Sequence, residues 1–302
     1  MKVVFYSGCQ VNSLVECSSG PILMPELAAQ DVTYCCVRDV EPEVLESHVK
    51  EADLIIASPT RPDFEGDSRL SSQHLANIKR QSATLVLAPN WDCPFYFPDD
   101  SHLYVGGELI TEPCGGHFLG LFDSYMKGEG FDYFLEHCVN NPDYIPNVGK
   151  YFRDSQDGNR RRTKRAHEYI EGQKNCCVIA LDDFIEETHK DQLLSYTHNH
   201  PTAHLIQHFA ESLCDAVGFD RKKINYDADP FYDADSTSGT GISPLYQSVQ
   251  EYVNFDCSKY PVDLKHSRSE DKTFRGVCEW YLKAYDKLRL RERYAKVYSG
   301  SK

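Results

Sequence analysis

The stretch KVVFYSGCQVNSL, residues 2–14, runs from an apolar segment through a lone glycine into Cys9-Gln10. Residues 2–8 read as a strand, and QVNSLVECS after them can start a helix. The same alternation continues. VTYCCVRDV (32–40), ADLIIASP (52–59) and ATLVLAPN (83–90) read as further strands. EPEVLESHVKEA and SSQHLANIKRQ, lying between them, carry helical spacing. Strands that are apolar on both faces and separated by helices predict an α/β fold, with a mostly parallel central sheet and flanking helices.

Beyond residue 90 the pattern changes. WDCPFYFPDDSHLYVGG is aromatic, proline-rich and loop-like, and helical spacing returns over 130–139 and 159–171. A short apolar run begins at CCVIAL, and LLSYTHN reads as a strand end. A helix from about Pro201 to Val217 follows, with proline in its first turn and Gly218 after its last. Residues 225–242 are acidic and turn-rich, and no glycine or terminal glutamate falls at the EF-hand positions. The tail 274–298 reads as one long amphipathic helix with Trp280, Leu282, Tyr285 and Leu288 to dock. The expected organisation is an α/β catalytic domain over 1–219 with a helical insertion around 120–172. Residues 220–302 add an acidic loop and a largely helical C-terminal extension on the same domain.

The 302 residues carry 41% apolar and 26% charged side chains, enough for a sizeable core. The formal charge of −14 argues against a nucleic-acid binder, whose affinity would come from neutralising phosphates. No apolar run reaches the ~18 residues of a membrane span. Met-Lys leads straight into a strand-like run and reads as a structural start rather than a signal peptide. The 12 cysteines show no CxxC spacing, so a zinc site is not expected. Cys35-Cys36 and Cys176-Cys177 are vicinal pairs in strand-like runs, which rarely bridge. Reduced thiols and a cytoplasmic location are the expectation.

Three places could carry chemistry. Cys9 follows the first strand, where α/β sheets bind ligands and where a helix N-terminus favours a thiolate. Gly8 beside it permits close approach of the backbone to a ligand. A buried packing cysteine is the plain alternative. In YTHNHPTAHL (196–205), Pro201 holds His200 extended, able to aim an imidazole across the same crevice. The alternative is a helix cap from Asn199 or Thr202. His198 and His200 point the same way, but no third metal ligand stands at a suitable spacing. His204 and His208 read as a polar stripe. Arg61 after the third strand can grip phosphate or carboxylate, and Asn90 after the fourth can donate to an oxyanion. Either residue can equally be turn chemistry beside a proline. RRRTKRAHEY (160–169) packs five basic residues into six positions, either as an anion site or as a solvated helix face.

Taken in order, these blocks resemble the WcbI-like family of polysaccharide biosynthesis proteins. The family's first strand ends in Gly-Asn-Cys-Gln, where this chain reads Ser7-Gly8-Cys9-Gln10. Its Asn-His-Pro segment corresponds to Asn199-His200-Pro201. ADLIIASPTRPDF, PNWDCPFYFPDD and the basic run match further blocks over about 2–219. The resemblance implies a three-layer SGNH- or flavodoxin-like fold and an acyltransferase, expected to be an O-acetyltransferase. Such an enzyme moves an acyl group from acyl-coenzyme A to a sugar hydroxyl in polysaccharide or glycan biosynthesis. It makes Cys9 the candidate nucleophile or acyl-thiol neighbour and His200 the candidate general base. Gly8, Gln10, Arg61, Asn90, Asn199, Arg161 and Arg165 become the candidates to meet coenzyme A or acetyl-coenzyme A, with no metal. A cysteine-dependent esterase or deacetylase of SGNH-like shape and a non-catalytic glycan-binding or assembly protein are the alternatives.

Overall fold

The computed structural model describes residues 1–15, 21–113, 116–198, 200–230, 242–264, 267 and 269–299. Most of the acidic loop at 225–242 and all of Asn199 therefore lie outside the described residues, as does the side chain of Cys9. The chain forms two compact units. The first holds Met1–Asp92, Arg153–His189 and His200–Gly239; the second holds Cys93–Phe152, Lys190–Asn199 and Thr240–Lys302.

The first unit is built on five parallel strands: β1 (Lys2–Ser7), β2 (Asp31–Cys36), β3 (Leu54–Ala57), β4 (Thr84–Leu87) and β5 (Cys176–Val178). Their order is β2-β1-β3-β4-β5. Val4, Tyr6, Ile55, Ala57, Leu85 and Leu87 alternate onto one face and pack with Leu45, Val49, Leu75, Ala166 and Ile170. The intervening Val3, Phe5, Leu54, Ile56 and Val86 are buried as well, so both faces are covered, as a parallel sheet requires. Around the sheet stand α1 (Cys9–Asn12), α2 (Pro42–Glu51), α3 (Ser72–Ile78), α4 (Val148–Tyr169), α5 (Asp182–Thr188) and α6 (Ala203–Val217). Winding reverses between β1 and β3. That is the switch point at which open α/β sheets leave a crevice beyond the strand ends.

Two local expectations change. The helix read from Gln10 onward is a single turn, Cys9–Asn12, because the Ser13 hydroxyl caps the Gln10 carbonyl (2.7 Å) and the chain turns away. Of the stretch LLSYTHN, the described residues 193–198 are loop rather than strand: β5 already takes the sheet's last place beside β4, and the His198 carbonyl accepts from the Cys93 amide (2.9 Å).

The second unit is a mainly helical body with two small antiparallel ribbons, Asp100–Ser101 with His117–Phe118 and Leu103–Val105 with Glu108–Ile110. Its core joins Phe118, Leu121, Phe122, Tyr125, Phe134, Tyr246, Val277, Cys278, Tyr281 and Tyr285. The tail forms two helices, Phe274–Lys287 and Leu290–Ser299, broken where Arg289 takes a φ of 53°. Val277, Cys278, Tyr281 and Tyr285 are buried on the first of these, while Trp280, Leu282 and Leu288 pack at the edge of the same core. In this unit the His198 Nδ1 lies 3.3 Å from the Asp100 carboxylate. Among the described residues no helix is long and apolar enough to cross a membrane.

Candidate functional site

Cys9 and Ser58 leave neighbouring strands. Tyr6 is level with Ala57, and the Ser58 amide donates to the Tyr6 carbonyl (2.9 Å). Parallel neighbours lie ~4.8 Å apart, so the first turn of α1 begins beside the loop that follows β3. On the far side of β3, the Ala88 amide donates to Ala57 (2.8 Å), which brings Pro89 and Asn90 alongside Ser58. Three strand ends thus open at one edge of the sheet.

At that edge lies a cleft of about 340 Å³, lined by Ser58, Pro59, Arg61, Phe64, Glu65, Pro89, Asn90, Arg162, Arg165 and Tyr169. Three guanidinium groups face one carboxylate in this lining, an excess of positive charge in an acidic chain. The loop after β3 is rigidly tied. The Thr60 hydroxyl donates to the Leu70 carbonyl (2.7 Å), and the Ser72 hydroxyl accepts from the Thr60 amide (2.8 Å). Ser58 is 8% exposed, and its hydroxyl has no hydrogen-bond partner among the described residues. An unpaired buried hydroxyl is uncommon, because its desolvation goes uncompensated.

The basic run of residues 160–165 is divided by the phase of α4. Ala166 and Ile170 are buried against the sheet, so Arg162, Arg165 and Tyr169 flank the buried stripe and reach the cleft. Arg161 is exposed and does not line it, while Arg160 pairs with Glu186. Arg61 stands on the rim with Asp63 (3.1 Å). Arg165 has no ion pair among the described residues. Ser58, Arg162 and Tyr169 were not singled out from the sequence. The Ala166/Ile170 spacing was the available signal for Arg162 and Tyr169, and nothing local marks Ser58.

Around Cys9 the first turn is anchored on both sides. The Ser7 hydroxyl donates to Asn12 Oδ1 (2.7 Å), and the buried Gln10 donates from Nε2 to the Trp91 carbonyl (2.9 Å). A side chain at Gly8 would meet nothing within 4 Å among the described residues, so crowding is not what calls for glycine at that position. A one-turn helix offers a thiolate little dipole support. The Trp91 ring packs on Phe209 of α6 (centroids 4.8 Å apart), the helix into which His200 leads. Pro201 and Thr202 are buried at its start, His200 is half-buried, and Thr202 forms no side-chain cap bond. His204 and His208 pack on Phe184, His208 stacking at 3.8 Å, so they are not a solvated stripe. Burial raises the thiol pKa of Cys35, Cys176, Cys177 and Cys257, and lifts Cys214 to about 11 and Cys138 to about 12. Such thiols are poor nucleophiles. Among the described residues no cluster of His, Cys, Asp and Glu could hold a metal ion.

A family model described as the polysaccharide biosynthesis enzyme WcbI matches residues 2–222. The chain belongs to that family. The matched span takes in all five strands, the cleft and α6. A solved structure of WcbI shares 18% identity with this chain at a TM-score of 0.62, covering 99% of this chain and 95% of that one. It is described as a novel polysaccharide biosynthesis enzyme, and as the native protein without a disulfide bond between coenzyme A and one of its cysteines. At that identity the likeness shows a common fold, and the coverage brings residues past 222 within it. No curated protein matches the chain. Membership in the WcbI family makes this chain an enzyme of polysaccharide biosynthesis.

Proposed function

We propose that the protein transfers an acyl group, expected to be acetyl, from acyl-coenzyme A to a sugar hydroxyl of a polysaccharide or glycan precursor. The observation that carries this reading is the cleft at the ends of β3 and β4, where arginines surround a buried serine hydroxyl that lacks a hydrogen-bond partner among the described residues. Those groups suit the phosphorylated end of a coenzyme. Arg165 and Arg61 supply fixed positive charge for phosphate oxygens, and Arg161 adds charge from outside the lining. The Ser58 hydroxyl has a hydrogen bond to give, and Phe64 and Tyr169 offer faces for an aromatic base.

Cys9 stands one strand away from Ser58, at the switch point. His200, as general base, takes the proton from the attacking hydroxyl or from the Cys9 thiol, and returns it to the departing coenzyme thiolate. Backbone amides near Gly8 and Gln10 and the Asn90 carboxamide are the donors for the oxygen that gains negative charge. The coenzyme A of the WcbI structure's description supports the choice of donor.

Coenzyme A added at millimolar concentration should raise the Tm, because a ligand that binds only the folded state stabilises it. An unchanged Tm rejects the donor. Cys9→Ala or His200→Ala should each lower transfer at least ~100-fold while leaving the folded state intact by circular dichroism. A Cys9→Ala variant with full transfer rejects the thiol's part in the reaction.

A further inference from the structure

Residues 90–92 have no secondary structure of their own, yet each is held by a named side chain. Arg162 donates from Nε to the Asn90 carbonyl (3.1 Å) and pairs with the Asp92 carboxylate (3.0 Å). Asn159, one helical turn earlier on α4, grips both backbone groups of Asp92. Its Nδ2 donates to the Asp92 carbonyl (3.3 Å), and its Oδ1 accepts from the Asp92 amide (3.5 Å). Asn159 is 3% exposed, and it is oriented from both sides. Arg162 donates to its Oδ1 (2.5 Å), and its own Nδ2 donates to Gln156 Oε1 (2.8 Å). Gln156 in turn donates to the Asp182 carbonyl (3.1 Å). Positions 156, 159 and 162 thus form a polar ladder on one side of α4.

The Trp91 carbonyl shares its peptide plane with the Asp92 amide that Asn159 holds, and it receives the Gln10 side chain. We propose that Asn159 is a positioning residue for Gln10 and, through it, for the turn that carries Cys9. With the residues on either side of Trp91 pinned to α4, the Trp91 carbonyl has one direction in which to receive the Gln10 amide. The same helix supplies Arg162 and Arg165 to the cleft, so one element sets both the anion-binding wall and the register of the reactive turn. The inference rests on Cys9 taking part in acyl transfer, but its physical content, a coupling between Asn159 and Gln10, can be read without any activity.

The test compares the full-length protein with Asn159→Ala, Gln10→Ala and the double variant. Amide hydrogen exchange at residues 9–12 should quicken in either single variant, with a less than additive gain in the double, because Asn159 acts on the turn through the Gln10 contact. Turnover of acetyl-coenzyme A, followed as free thiol release, should show kcat lowered about tenfold with KM within twofold, again without additivity. Should Asn159→Ala fail to fold, Asn159→Asp keeps the shape and withdraws the two donated bonds, and the same exchange result is expected. Exchange at 9–12 that is unchanged in the Asn159 variants, or effects that add in the double variant, overturns the proposal. A wild type that does not turn over acetyl-coenzyme A yet shows the coupled exchange rejects the acyl-transfer reading and leaves the positioning role standing.

Discussion

Ser58 in the first unit and Asp99 in the second are 8% and 6% exposed, and the chain treats the two buried polar groups in opposite ways. Asp99 is fully engaged. Its carboxylate accepts from the Tyr144 hydroxyl (2.7 Å), the Tyr246 hydroxyl (2.9 Å) and the Gly120 amide (2.9 Å). Even the glycine is required there, since a side chain at position 120 would come within 2.4 Å of the carboxylate. Ser58 stands on a loop tied just as firmly through Thr60, and its hydroxyl meets nothing among the described residues. Buried polar groups persist when partners inside the fold satisfy them, or when something outside the fold does. The first case describes a strut, and the second a binding group. Under the proposed function, the difference separates a knot that holds the second unit together from a seat for a ligand.

The largest expected effect comes from breaking the knot. Asp99→Ala leaves two phenol hydroxyls and an amide buried without an acceptor. At 1–3 kcal/mol for each group, partly relieved by relaxation, the loss should be about 4 kcal/mol of unfolding free energy. Urea denaturation of the two proteins reads it directly. A loss below about 1 kcal/mol would remove the distinction between the two sites.

The contrast also shows what the sequence could reveal. The strands of the sheet were legible because VVFY, LIIA and TLVL must be covered on both faces, and that pattern has few other uses. Cys9 and His200 stood out by their place at element boundaries, and Arg61, Asn90 and Arg165 by residue type beside a strand end or in a basic run. The choice between Arg161 and Arg162 depends on the rotation of α4 about its axis, which Ala166 and Ile170 fix only once they are known to be the buried stripe. Ser58 and Asn159 were invisible for another reason. A serine before a proline and an asparagine inside a basic helix look like turn and surface residues, and only the tertiary fold buries them. The Asp99 knot was equally hidden, because its partners lie 21, 45 and 147 residues away in the chain.

Ser58→Ala should produce the opposite result to Asp99→Ala. Removing a buried hydroxyl without a partner among the described residues removes its desolvation cost, so stability should hold or rise by up to ~1 kcal/mol. The loss should fall on the ligand instead: one hydrogen bond of about 1 kcal/mol corresponds to a roughly fivefold weaker affinity for coenzyme A. Calorimetric titration alongside urea denaturation separates the two quantities. A Ser58→Ala protein that is destabilised like Asp99→Ala, with coenzyme A affinity unchanged, makes Ser58 a structural residue after all.

The smallest effect extends the same contrast to titration. His117 has both ring nitrogens engaged, Nδ1 with the Tyr285 hydroxyl (3.1 Å) and Nε2 with the Ile110 carbonyl (2.8 Å), whereas His204 Nε2 is buried without a partner among the described residues. Burial lowers the pKa of both, and that of His208 as well. A histidine whose folded pKa lies below its unfolded value, about 6.5, binds its proton more readily in the unfolded chain. Its contribution is therefore intact above about pH 6.5 and is lost as pH falls from there toward the lowered folded value. Stability measured from pH 7.5 down to pH 5 should decline in the wild type, before acid acts on the carboxylates. His204→Phe should flatten that decline while leaving stability at pH 7.5 nearly unchanged, since it gives up no hydrogen bond. His117→Phe should cost stability at every pH, because it removes the hydrogen bonds to the Tyr285 hydroxyl and the Ile110 carbonyl. If His204→Phe is as costly at pH 7.5 as His117→Phe, then the His204 nitrogen has a partner in the folded protein, and only Ser58 remains on the unsatisfied side of the comparison.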